Sequence, residues 1–245
     1  MSNSKLRTAS ARGAWILALT ALLVSAPTAS SQAASVTWGT PIGISTVGDS
    51  IVSTDGELVT AINFDTNAQD RTVNGVTFEG ETSPPPGWEG RLYDPNNVYT
   101  DGNVGPQFRR LLNSFTFGSE DPTSSTASLT LSGLTAGTPY QVQFFVSDDR
   151  GVAAGRTQFF TGGANDSSTE LQSSSYSLIG TFVADGISQL ISVTGLPGED
   201  SSARPIVNVY QVRNIVPEPS TALLAAIGIV GLLAFARRKK HRAGV

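Results

Sequence analysis

Cysteine is absent from all 245 residues, and the only histidine, His241, lies in the basic C-terminal end. No disulfide can support the fold, and Cys–His and Ser-His-Asp nucleophilic catalysis are excluded from the rest of the chain, as is zinc held by histidine or cysteine. Lysine is missing from residues 35–215, and so is any Gly-rich phosphate loop that would need one. That segment carries 8 arginines against 19 acids, a formal net charge of −11. The whole-chain value of −4 hides this, because the remaining basic residues sit at the two ends. Phosphate backbones require concentrated Lys and Arg, so nucleic acid is not an expected partner. An acidic surface of this kind suits solubility, cation association or mutual repulsion.

What is present at the N-terminus is a targeting pattern. Lys5, Arg7 and Arg12 precede an apolar run from Ala14 to Val24, and Ser31-Gln32-Ala33 forms a small-x-small cleavage site. Residues 1–34 therefore read as a secretory signal peptide; a membrane-spanning helix would need about 20 apolar residues.

Residues 35–215 are long enough for one sizeable domain. Short apolar runs alternate with polar residues and are bounded by Gly, Pro, Asn and Asp, the pattern of strands and turns. Leu58, Thr60, Ile62 and Phe64 are expected on one strand face, and Val73-Asn74-Gly75-Val76 reads as a two-residue hairpin. Tyr140, Val142, Phe144 and Val146 are expected to be buried, with Gln141 and Gln143 facing water. Further strands are expected at 157–160, 176–183, 189–193 and 206–212. Phe108, Leu111, Leu112 and Phe115, spaced i, i+3, i+4 and i+7 after Pro106, predict the domain's one short helix. The fold class expected is all-β, an antiparallel β-sandwich or jelly roll.

Two stretches carry resemblances. Residues 129–142, from Leu129 to Val142, resemble the corner between strands in fibronectin type III domains, which implies that the Tyr140 hydroxyl bonds back to upstream backbone. At the C-terminus, Val216-Pro217-Glu218-Pro219-Ser220-Thr221 leads into an apolar run from Ala222 to Ala236, followed by Arg237, Arg238, Lys239 and Lys240. Together these resemble the PEP-CTERM sorting signal: a Pro-Glu-Pro motif, a transmembrane helix and a basic end at 237–245. The resemblance implies an exosortase, a membrane transpeptidase with its own cysteine, as partner, with Pro217, Glu218 and Pro219 as substrate. It also implies an inner-membrane intermediate on the way to the cell surface or extracellular matrix. The segments around Val76, Asp148, Phe182 and Tyr210 resemble the exported β-sandwich domains that precede such tails, which implies architecture and no activity.

The physics of the tail agrees. Prolines 217 and 219 hinder a helix before Ser220. The basic cluster stays cytoplasmic by the positive-inside rule, leaving the domain on the far side. Thr221 to Ala236 gives about 24 Å of helix against a hydrocarbon core of about 30 Å, a gap that snorkelling of Arg237 and Arg238 or local thinning closes.

Within the domain, carboxylate chemistry remains: a glycosidase needs two acids flanking a bond, and Glu79, Glu81, Glu89 and Asp94 are candidates. No pair stands out among so many acids, and the chain is not expected to be an enzyme. A polysaccharide-binding role has Trp88 and Tyr93 as stacking faces, with Glu89, Arg91 or Asp94 bonding hydroxyls. The competing role for Trp88 is to plug the sandwich, the usual fate of a large aromatic. No cofactor is expected; calcium has candidate oxygen ligands in Asp148-Asp149 and Asp101-Gly102-Asn103, a pattern that is also ordinary for turns.

Overall fold

Alternating, β-branched runs between turn residues produce a chain built mostly of strands. The computed structural model describes residues 33–100, 102–163, 166–172, 174–198 and 202–215. The early strands are β1 (Thr37–Trp38), β2 (Ile42–Gly43), β3 (Glu57–Asn63), β4 (Arg71–Val73), β5 (Val76–Gly80), β6 (Gly90–Tyr93) and β7 (Ser114–Phe117). Those that follow are β8 (Ser125–Ser132), β9 (Pro139–Val146), β10 (Thr157–Thr161), β11 (Leu171–Gln172), β12 (Tyr176–Val183), β13 (Ser188–Leu196), β14 (Ile206–Val207) and β15 (Val209–Asn214). Two helices interrupt them, α1 (Ile44–Val47) and α2 (Pro106–Leu112).

An eight-stranded sheet runs β1-β12-β9-β15-β3-β5-β4, with β2 also on β12; a four-stranded sheet runs β11-β10-β13-β8 and a three-stranded one β14-β7-β6. One face of the large sheet shares a core with the other two. Tyr140, Val142, Phe144 and Val146 of β9 all lie in it, together with Leu129, Phe160, Ile191 and Phe115. Phe144 stacks on Phe160 with ring centroids 4.7 Å apart.

Pairing is not antiparallel throughout, as expected from the sequence. β3 and β5 are parallel, Ile62 opposite Glu79 and Asn63 opposite Gly80. The reason is the intervening β4–β5 hairpin, which returns the chain to its original direction. That hairpin turns at Asn74 and Gly75, whose φ angles of 48° and 76° are those of the type I′ turn their sequence suggested.

The outer face of the large sheet is also covered, contrary to the expectation that Gln141 and Gln143 face water. Ala61, Phe145 and Val209 form a second core with Phe108, Leu111 and Leu112 of α2. Phe108 meets Phe145 edge-on at 5.3 Å. The helix ends at Leu112, so Phe115 belongs to β7 and to the first core rather than to the helical face. Beside it, segment 51–56 is laid over the sheet by side chains of β9 and β15. Gln143 accepts from Ser53 N–H and from Gln211 Nε2, and donates to Ile51 O and the Ser177 hydroxyl. Arg213 donates to the carbonyls of Thr54, Asp55 and Gly56. A glutamine with every donor and acceptor matched is tolerated in a core. The helical turn α1 and the 3-10 turns Gly48–Ile51 and Gly151–Ala153 went unanticipated, being too short to show a period.

The chain enters and leaves at one end. Asn214 pairs with Glu57 and Tyr140, Val183 with Pro139, and Thr37 with Thr181. Ile215 N–H donates to Pro139 O at 3.1 Å. Ala34 is held at the start of β13 by Gln189, which accepts from its N–H at 2.9 Å and donates to its carbonyl at 3.0 Å. In the corner at this end, Thr135 N–H donates to the Tyr140 hydroxyl at 2.9 Å, the bond that the fibronectin-like stretch implied.

Candidate functional site

The four residues singled out for a sugar site do separate structural jobs. Trp88 is not an exposed stacking face: its side chain is 6 % exposed, lies in the main core, and donates through Nε1 to Ser128 O at 2.8 Å. Ser128 belongs to β8, the edge of the four-stranded sheet, so the indole both fills the gap between sheets and covers an open edge. Tyr93 is half-buried, and the guanidinium of Arg110 lies 4.3 Å from its ring centre, taking one face. Glu89 is exposed, 3.6 Å from Arg204. Asp94 accepts from Asn96 N–H and Asn97 Nδ2, bonds that hold its carboxyl below the usual range, Asn97 contributing most. Asp121 and Asp166 are lowered as well. A general acid needs the opposite displacement.

The calcium candidates are engaged with protein groups. Asp148 grips Arg150 at 2.7 and 2.8 Å, and Asp149 accepts from the N–H and hydroxyl of Thr100. No cluster of three or more acidic or histidine ligands occurs among the described residues. Asp101 lies outside them.

Sequence reasoning missed a cleft of about 440 Å³ beside the proline run 84–86. Ile62, Phe64, Leu129 and Tyr210 give it an apolar floor; prolines 84–86 form a wall, and Glu81, Ser83 and Thr130 supply polar groups. Burial, with the charge of Glu81 second, pushes the Tyr210 hydroxyl up to about 12. Its walls come from four distant segments, and only the proline run hinted at it.

Charge is sorted radially. Of the 8 arginines in residues 35–215 only Arg109 is exposed, whereas Asp55, Glu57, Asp70, Glu79, Glu81, Glu89, Glu120, Glu170 and Asp185 all are. The arginines are drawn inward by specific partners. Arg71 and Arg110 approach buried Asp65 at 3.8 and 3.6 Å, Arg91 holds the carbonyls of Asp65, Glu81 and Thr82, and Arg156 and Arg204 share Glu120. The surface is thus more acidic than the composition.

β15 ends at Asn214, and the sequence after Ile215 reads Val216-Pro217-Glu218-Pro219, followed by the apolar run and the basic cluster. Residues 216–240 match the PEP-CTERM protein-sorting motif. The PEP-CTERM match marks the chain as an exported protein sorted by an exosortase, the coupling that the Pro-Glu-Pro, apolar and basic order implied. Pro217, Glu218, Pro219, Arg237, Arg238, Lys239 and Lys240 lie outside the described residues, as do the membrane helix expected at 222–236 and nearly all of the signal peptide at 1–34. No helix among the described residues is long and apolar enough to cross a membrane. Neither the curated proteins nor the solved structures give a match to the chain.

Proposed function

We propose that the PEP-CTERM tail delivers an acidic, non-enzymatic β-sandwich to the cell surface or extracellular matrix, where it has a structural or adhesive role. The observation that carries this reading is the sorting-motif match at residues 216–240, placed directly after the β-rich domain. The signal peptide at 1–34 takes the chain across the inner membrane, the tail holds it there, and the exosortase then cuts near Pro217-Glu218-Pro219. The test follows the C-terminal mass of the protein in cells with and without a functioning exosortase. Mature surface protein lacking residues 237–245 only when the enzyme is present supports sorting; an intact basic end on that protein overturns it.

Polysaccharide binding is the second reading, favoured by the cleft beside prolines 84–86 with its aromatic and proline walls and polar rim. A glycan array probed with the domain and with Glu81→Ala tests it. Retention of a sugar by the native domain and its loss in the variant support a lectin role, and no retention of any sugar ends it.

A further inference from the structure

The end of the domain at which the chain enters and leaves lies at the root of the sorting tail. β15 is paired through Asn214, Ile215 is itself hydrogen-bonded, and the sorting motif starts at the next residue. Six residues, 216–221, then separate the domain from the apolar run at Ala222. Fully extended, they reach at most about 20 Å. The interfacial layer of one leaflet takes up about 5–8 Å of that. A domain so tethered keeps this end within about 15 Å of the headgroups. The entering segment points the same way, because Ala34 and Ile215 line one cleft of about 440 Å³ together with Pro139 and Val183.

The side chains displayed there fit an interface. Ile187 is 80 % exposed and Val183 56 %, at the two sides of the β12–β13 turn, and Leu58 is exposed at the start of β3. Of the seven large apolar side chains exposed among the described residues, these three sit at the end where the tail departs, and Ile187 is the most exposed of all; Ile42, Val47, Val152 and Leu190 are the others. The exposed charges beside them, Asp55, Glu57 and Asp185, are all acidic. Apolar tips without basic neighbours give weak adhesion that depends on the tether, because anionic headgroups attract Lys and Arg and repel carboxylates.

We propose that the end bearing Leu58, Val183 and Ile187 rests on the lipid surface while the tail anchors the chain, and leaves it when the tail is cut. This rests on the sorting reading, and the experiment separates the two. The absence of cysteine lets a nitroxide be placed at one position of the full-length chain. Ile187→Cys, Val152→Cys and Leu233→Cys are labelled and reconstituted in phosphatidylcholine vesicles, and collision rates with oxygen and with a water-soluble nickel chelate are compared. Val152 is 61 % exposed in the turn after β9, away from the tail, and Leu233 lies in the apolar run.

The expected result is an oxygen-to-nickel ratio at 187 several-fold above that at 152, approaching the ratio at 233. Equal ratios at 187 and 152 with a lipid-like 233 overturn the proposal and leave the sorting reading standing. A water-like 233 overturns the membrane anchor and the proposal with it. Protection of 187 only when exosortase is co-reconstituted also overturns lipid contact, and assigns the surface to the enzyme.

Discussion

Replacing Trp88 by alanine tests the assignment of that residue to the core. An aromatic side chain of this size buries about 150–250 Å², worth about 4–6 kcal/mol at 25 cal/mol per Å² as an upper figure. Measured truncations of buried Phe and Trp cost about 3–5 kcal/mol. Loss of the Nε1 bond to Ser128 O adds about 1 kcal/mol. The expected loss for Trp88→Ala is therefore about 4–6 kcal/mol, a large part of the 5–15 kcal/mol typical of a domain. At about 2–4 °C per kcal/mol, the melting temperature should drop by about 8–24 °C. Trp88→Phe keeps most of the apolar volume and removes the N–H, so it should cost only about 1–2 kcal/mol. Urea denaturation of residues 34–215 followed by circular dichroism measures both. A loss below about 1 kcal/mol for the alanine variant, the response of a surface aromatic, would refute the plug and return Trp88 to the list of sugar-stacking residues.

Gln143→Leu should cost about 3 kcal/mol or more in the same urea assay, because it orphans Ser53 N–H, Ile51 O and a donor of Gln211 at once; a loss within experimental error would mean segment 51–56 is held by something else. Gly75→Ala meets no neighbouring atom, so its cost of about 1–2 kcal/mol comes from positive φ alone and should be matched by no change in the denaturant slope. Acid stability follows from the lowered carboxyls. Burial pushes Asp166 up, but the N–H groups of Val36, Gly163 and Gly162 outweigh it, and the folded pKa lies below the unfolded one. Its contribution is thus fully present above the unfolded value of about 3.9 and is lost as pH falls through the folded value. The urea midpoint should hold from pH 7 to 5 and fall below 4, with a shallower acid limb in Asp166→Asn; parallel limbs would exclude Asp166 as a source.

Local chemistry carried much of the fold into the sequence. Asn74-Gly75 announced its turn because few other pairs accept two positive φ angles, and Pro106 with the Phe108, Leu111 and Leu112 spacing announced α2. Tyr140 was legible through its surrounding corner. What escaped was tertiary. Gln143 looks like part of a wet face because polarity is read one residue at a time, whereas its burial depends on backbone about 90 residues away meeting its amide. Trp88 could be weighed either way until its contact with β8 was seen, and the proline-walled cleft has no contiguous signature at all. The sorting tail was legible as a whole because order, spacing and charge fall within thirty consecutive residues.

The use of arginine without lysine bears on attachment chemistry as well as on the fold. A transpeptidase joins a carbonyl to an amine, and guanidinium groups, protonated at any physiological pH and here mostly turned inward, are not amine nucleophiles. The domain's side chains therefore offer no acceptor for a second copy. Residues 35–215 thus carry no lysine amine through which one copy could be joined to the flank of another.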